Sequence, residues 1–281
     1  MKKFIGLFTL SLSLISTILL GSCGNTGVGN DKLVVGLECN YAPFNWTDTT
    51  SNETNISIDG KANQYADGYD IQIAKKISSY LNIEVIIRKL EWESLIPSLE
   101  GGEINTIIAG MTDTEERRLS IDFTNEYYRS ELVLIVHKSN YTDKVLSGDD
   151  FKNYISGKAV ESQVSTVTDE VIEIFSANYG ATHVKPVDSF PSAANDVNSG
   201  LVFAMTAELP VAKSICKSNE NLVIVHIDQS ILGTKAAELG VSIGIKKGNN
   251  ELKDKLNSAL AAISQETRVQ LMDDAVARSE E

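Results

Sequence analysis

The residues best placed to do chemistry are Ala109-Gly110-Met111-Thr112-Asp113-Thr114-Glu115-Glu116-Arg117. Gly110 allows a sharp backbone turn. Thr112 and Glu115 stand at capping-box spacing, which predicts a short helix just after Thr112. The first amides of a helix have no partner within it and carry the positive end of its dipole. Arg117 adds a planar cation suited to bidentate carboxylate recognition. Glycine, open amides, hydroxyl and arginine together would hold a small carboxylate. An ordinary strand-to-helix turn with a surface arginine has the same spacing, and these residues alone do not choose between the two readings.

The surrounding elements give this turn a place. Ile104 to Ala109 reads as a buried strand leading into Gly110. Tyr69 to Leu81 has apolar residues at helical spacing, Ile83 to Ile87 is a β-branched strand, and Trp92 to Glu100 is a helix closed by Gly101-Gly102. Strands alternating with helices in this way predict a parallel sheet. Ligands bind beyond the carboxyl ends of such strands, where Gly110 to Thr112 would lie. Residues 47–67 are rich in Thr, Ser and Asn and suggest a small hairpin.

Three stretches carry a family resemblance: Trp92-Glu93-Ser94-Leu95-Ile96-Pro97, then Ala109 to Arg117, then Asp122-Phe123-Thr124 with Tyr127-Tyr128. In order and spacing they resemble the type II periplasmic amino-acid-binding proteins, the extracellular receptors of ABC importers. The resemblance implies a two-lobed α/β fold, each lobe a mostly parallel sheet flanked by helices, joined by two hinge strands. Lobe 1 would take residues 32–131 and 240–281, and lobe 2 residues 132–239.

The resemblance also implies a site for a small L-amino acid. Gly110, Met111, Thr112 and Arg117 would take the carboxylate. Ser165 and Thr166, in Gln163-Val164-Ser165-Thr166, would approach it from the other lobe, with Ser165 where the family has glycine. Glu208 would take the ammonium, one methylene longer than the family's Asp. It also precedes Pro210 as a helix start would. Phe203 stands where the family has a further Asp. Tyr41 and Trp92 would enclose the side chain, and Glu38 would meet a distal cation such as that of lysine, arginine or histidine. Glutamine or another polar amino acid is the alternative ligand. An exported prephenate-type dehydratase is the alternative activity, because the same fold carries both. The receptor reading implies no cofactor, no metal and no catalytic residue. Its partners would be an ABC permease with its ATPase, and the protein itself a monomer.

The chain has 281 residues, 42% of them apolar, and a formal net charge of −13. The acidic balance argues against nucleic-acid binding, which needs a positive surface. Met1-Lys2-Lys3 and the apolar run Phe4 to Leu20 form a secretory signal over residues 1–22. Leu20-Gly21-Ser22-Cys23 resembles a bacterial lipobox, which implies lipidation at Cys23. Residues 23–31 would then tether the protein to the cell envelope, at the outer face of the cytoplasmic membrane or in the periplasm. Cys39 and Cys216 could pair in an oxidising compartment; the resemblance sets Cys39 near the cleft and Cys216 on a helix of the other lobe, which favours two free thiols. There is no Gly-x-Ser-x-Gly, His-Glu-x-x-His, P-loop or dinucleotide fingerprint.

Overall fold

The computed structural model describes residues 32–279. The leader 1–22, Cys23 and the tether 23–31 lie outside the described residues. Two five-stranded sheets form the body of the protein. In the first, the strands follow the spatial order 84–89, 32–37, 106–107, 240–246, 121–129. In the second, the order is 182–183, 159–161, 204–208, 132–137, 222–226.

The two orders are equivalent. In each sheet four of five strands run the same way, and the fourth in spatial order is opposed. The opposed strand is always the one that enters from the other lobe. Leu132–His137 follows Ile121–Arg129 of the first sheet, and Gly240–Lys246 brings the chain back from the second.

Burial explains why these segments are strands. Alternate residues of a strand face opposite sides of the sheet. Leu132, Leu134 and Val136 pack with Phe151, Val171 and Phe175 from helices Gly148–Ile155 and Val167–Tyr179. Val133 and Ile135 turn the other way, into a core shared with Phe190, Val197 and Val211 from helices Phe190–Ser199 and Leu209–Ser218. With both faces covered, every residue from Leu132 to Val136 is buried. The first sheet is covered in the same way, in part by helix Tyr69–Leu81, which buries Ile73, Ala74 and Ile77. That helix stops at Asn82, whose left-handed backbone (φ 54°) returns its N–H to the Ser78 carbonyl.

The hairpin expected over residues 47–67 belongs to a larger unit. Short strands 40–41, 45–48, 65–67 and 56–57 form a four-stranded antiparallel sheet. Gln72 ties it to the helix by donating to the Thr54 carbonyl at 2.7 Å. Arg278, in helix Gln265–Arg278, reaches Asp67 at 3.1 Å, a carboxylate that is 1% exposed.

Candidate functional site

Gly110 lies where the sequence places it, at the end of the extended run after strand Thr106–Ile107, but the local geometry differs from the capping-box expectation. Thr112 does not start a helix. It forms a β-bridge with Val241, and the Met111 carbonyl accepts from the Ser242 amide at 2.9 Å. The helix begins five residues later and is a single turn, Arg117–Ser120, with Thr114 Oγ1 accepting the Arg117 amide. Glu115 caps nothing. The open amides expected at Thr112 are therefore replaced by a backbone held from behind. Gly110 N–H donates to the Tyr127 hydroxyl at 3.0 Å, and that hydroxyl donates to Asp70 Oδ1 at 2.6 Å. Asn45 satisfies the other Asp70 oxygen at 2.8 Å.

Gly110 has φ 61°, and a Cβ there would come within 2.8 Å of the Tyr41 ring. Glycine is needed on both counts. The Tyr41 ring stacks on Phe44, with centroids 5.2 Å apart, and tilts against Phe190 at 4.7 Å. Its hydroxyl crosses to the second lobe and donates to Glu208 Oε2. Glu208 precedes helix Leu209–Ser218, yet its side chain does not cap it. The helix-start role read from Pro210 thus falls to the backbone alone, and the carboxylate turns into the cleft.

Arg117 enters the same space. One terminal nitrogen donates to the Thr112 carbonyl at 2.7 Å and the other to the Ser165 carbonyl at 2.8 Å. The guanidinium lies over the Trp92 ring at 5.3 Å. Trp92 is half-buried, in a short 3-10 turn ahead of helix Leu95–Gly101, and its indole N–H also donates to the Ser165 carbonyl, at 3.1 Å. Ser165 keeps a left-handed backbone (φ 60°) despite its side chain. Thr166 caps helix Val167–Tyr179: its hydroxyl accepts the Asp169 amide and donates to the Gln163 carbonyl at 2.6 Å.

A small cavity of about 20 Å³ lies between the lobes, lined by Glu38, Tyr41, Trp92, Gly110, Thr112, Arg117, Thr166 and Glu208. Met111 and Ser165 line an outer groove beyond Trp92 and Arg117 instead. The fold brings eight of the ten residues expected from the resemblance to one cavity, and its wall also contains Gln163, Val167, Thr168 and Phe190. Gln163 was visible as the first residue of the Gln-Val-Ser-Thr run. Phe190 opens helix Phe190–Ser199, and no local signal in the sequence marks it for the cleft. Phe203 is outside the site: its ring meets Tyr154 edge-on at 5.3 Å, with the Lys158 ammonium over it.

The electrostatics are those of charged groups kept from water. Burial pushes the Glu208 carboxyl above its ordinary range, opposed by the Tyr41 hydroxyl and by Arg117. Burial also raises Glu38 to about 7, opposed by Gln163, whose Nε2 donates to it at 3.0 Å. Burial lowers Arg117, and the neighbouring acids Glu170, Glu116, Asp113 and Glu208 counter that shift. The cavity thus has a cation at one side and two carboxylates at others, each borrowing a partner across the cleft. Cys39 and Cys216 are both free. Among the described residues no group of three or more His, Cys, Asp or Glu could hold a metal ion, and no helix is long and apolar enough to cross a membrane.

Comparison with known proteins gives the family and the fold. Residues 33–275 match the family described as bacterial extracellular solute-binding proteins, family 3. The chain is 26% identical to the arginine-binding extracellular protein ArtP of Bacillus subtilis (strain 168), covering 92% of each. It is 27% identical to the ABC transporter arginine-binding protein 1 of Escherichia coli (strain K12), over 93% of this chain and 97% of that one. Among solved structures, an amino acid ABC transporter substrate-binding protein, AbpA from Streptococcus pneumoniae Canada MDR_19A bound to L-arginine, superposes with a TM-score of 0.72. It is 25% identical, over 89% of this chain and 97% of that one. The two-lobed fold, the interlobe cavity and the match along nearly the whole described chain place this protein in family 3 of the bacterial extracellular solute-binding proteins.

Proposed function

We propose that the protein captures a free L-amino acid with a cationic side chain in the interlobe cavity, without turnover, and delivers it to an ABC permease. The observation that carries this is the convergence of Arg117 and Glu208, opposite charges from opposite lobes, on one cavity whose wall also holds Glu38. Arg117 takes the α-carboxylate and Glu208 the α-ammonium, displacing the Tyr41 hydroxyl. Glu38 faces the distal cation, displacing Gln163. Tyr41 and Trp92 supply aromatic faces along the stem. The relatives named for arginine support the same ligand class. Bonds to both lobes make ligand binding favour the closed arrangement. Lipidation at Cys23, after cleavage of residues 1–22, holds the monomer at the membrane that carries the permease.

Thermal unfolding of the chain from Asn25 onward, stripped by unfolding and refolding, tests this against the twenty L-amino acids. A ligand at about 1,000 times its dissociation constant adds roughly 4 kcal/mol of stability. A shift with arginine, lysine or histidine, lost in Glu38→Gln, is the expected result. A shift with glutamine alone would replace the cationic ligand by a neutral polar one. No shift with any amino acid, together with turnover of a prephenate analogue, would replace the receptor by the dehydratase.

A further inference from the structure

The bonds that cross the cleft fall into two groups. Inside, Tyr41 donates to Glu208 and Gln163 to Glu38. These pairs use the groups assigned above to ligand, so ligand must break them. At the mouth, three first-lobe side chains converge on Ser165 of the second lobe. Trp92 Nε1 and Arg117 Nη2 both donate to its carbonyl, and its hydroxyl donates to Glu93 Oε1 at 3.3 Å. Neither Glu93 nor the Ser165 side chain lines the inner cavity.

We infer that Glu93 and Ser165 form a latch that holds the two lobes closed before ligand arrives and presents Arg117 and Trp92 in their binding orientation. The Ser165 hydroxyl is the distinguishing part. A glycine would adopt φ 60° without strain, and a side chain there costs energy unless something offsets it. The bond to Glu93 supplies that offset, and a glycine could not make it. The shared carbonyl then fixes the guanidinium beneath the indole, with Thr112 holding its other end. Glu93 is accordingly a positioning residue, acting on the binding groups through Ser165. A contact that ligand need not break stabilises the loaded and empty closed forms together, so it lengthens residence rather than competing for the site.

The inference rests on the receptor reading for its role, but its first test needs no ligand. The chain has two tryptophans, so Trp46→Phe leaves Trp92 as sole reporter. In that background the ligand-free protein should show Trp92 emission that is blue-shifted and poorly quenched by acrylamide. Glu93→Ala should reduce the closed-to-open ratio about threefold to tenfold, the loss of one hydrogen bond, seen as a red shift and stronger quenching. Glu93→Gln, which keeps an acceptor, should restore most of the protection. Ser165→Ala should match Glu93→Ala, and the double variant should lose no more than either single one. With L-arginine as probe, Glu93→Ala should speed dissociation by the same factor and change association less. Trp92 fully quenchable in the ligand-free parent, or additive losses in the double variant, would overturn the latch. Failure of L-arginine to bind would count against the proposed ligand and leave the fluorescence result to decide the latch alone.

Discussion

Glu38 and Glu208 are carboxylates with neutral partners, and that is an unfinished arrangement. Burial raises both, Glu38 to about 7 from an ordinary 4.5. A carboxyl raised in the folded state adds stability that is complete below its unfolded pKa and is lost as pH rises through the folded one. Asp70, raised by burial from 3.8 to about 7, acts in the same direction. The ligand-free protein should therefore melt at progressively lower temperature from about pH 5 to about pH 7.5. A cationic ligand favours the charged form of Glu38, so binding below pH 7 releases a proton, and affinity should rise with pH up to about 7 and then level. Calorimetry in buffers of different ionisation enthalpy reads that proton, and Glu38→Gln should abolish the Glu38 share of it. Glu208→Gln should weaken binding roughly 10-fold to 100-fold, because a charge-assisted bond to the ammonium becomes a neutral one. Its melting temperature without ligand should hold, since the amide oxygen still accepts from Tyr41. Gly110, Arg117, Glu38 and Glu208 were expected at the cleft from the resemblance, and the fold brings them to one cavity. Phe190 was not expected there, because an aromatic at a helix start carries no mark of the cleft it will face.

Helix Val167–Tyr179 shows what local rules can do. The helix begins at Val167 with Thr166 as its cap, the Thr166 hydroxyl accepting the Asp169 amide three residues on, as the capping rule describes. Thr166→Ala should cost about 1 kcal/mol in a urea titration, and Thr166→Ser much less. The same reasoning failed at Thr112, which has as good a capping pattern. There Val241 and Ser242, some 130 residues later in the chain, pair with the backbone first. A long-range strand contact overrode a local preference, and no window of sequence contains both partners. Gly110→Ala tests the turn that results. The left-handed backbone and the 2.8 Å approach to Tyr41 should together cost roughly 1–3 kcal/mol of stability and weaken amino-acid binding.

At the scale of the molecule, strand–helix alternation predicts a parallel sheet, and the two-lobed plan comes from the resemblance of motifs spread along the chain. The pairing inside the closed cleft is legible in neither. Tyr41 and Glu208 are 167 residues apart, and nothing in either segment announces that a phenol will stand in for an ammonium. The anchoring of the small sheet by Arg278 was also unreadable, since Asp67 and Arg278 look like ordinary surface charges in sequence. Arg278→Ala leaves a carboxylate that is 1% exposed without its cation, and chemical denaturation should show a loss of about 1–3 kcal/mol.

The placement of strand Gly240–Lys246 sets an order of assembly. It sits between Thr106–Ile107 and Ile121–Arg129, inside the first sheet rather than at its edge. The second sheet draws every strand from one unbroken stretch, 132–226. A chain emerging from its amino end can therefore complete the second lobe while the first still has an open seam. Contacts closed across long stretches of chain form late, because the loop must be ordered before they contribute. In pulsed hydrogen exchange during refolding, amides of Leu132–His137 and Ala204–Glu208 should gain protection before those of Thr106–Ile107 and Ile121–Arg129. The part of the chain that is made first would be the last to become native, and Gly110, Arg117 and Tyr41 would acquire their binding geometry only when the final strand is in place.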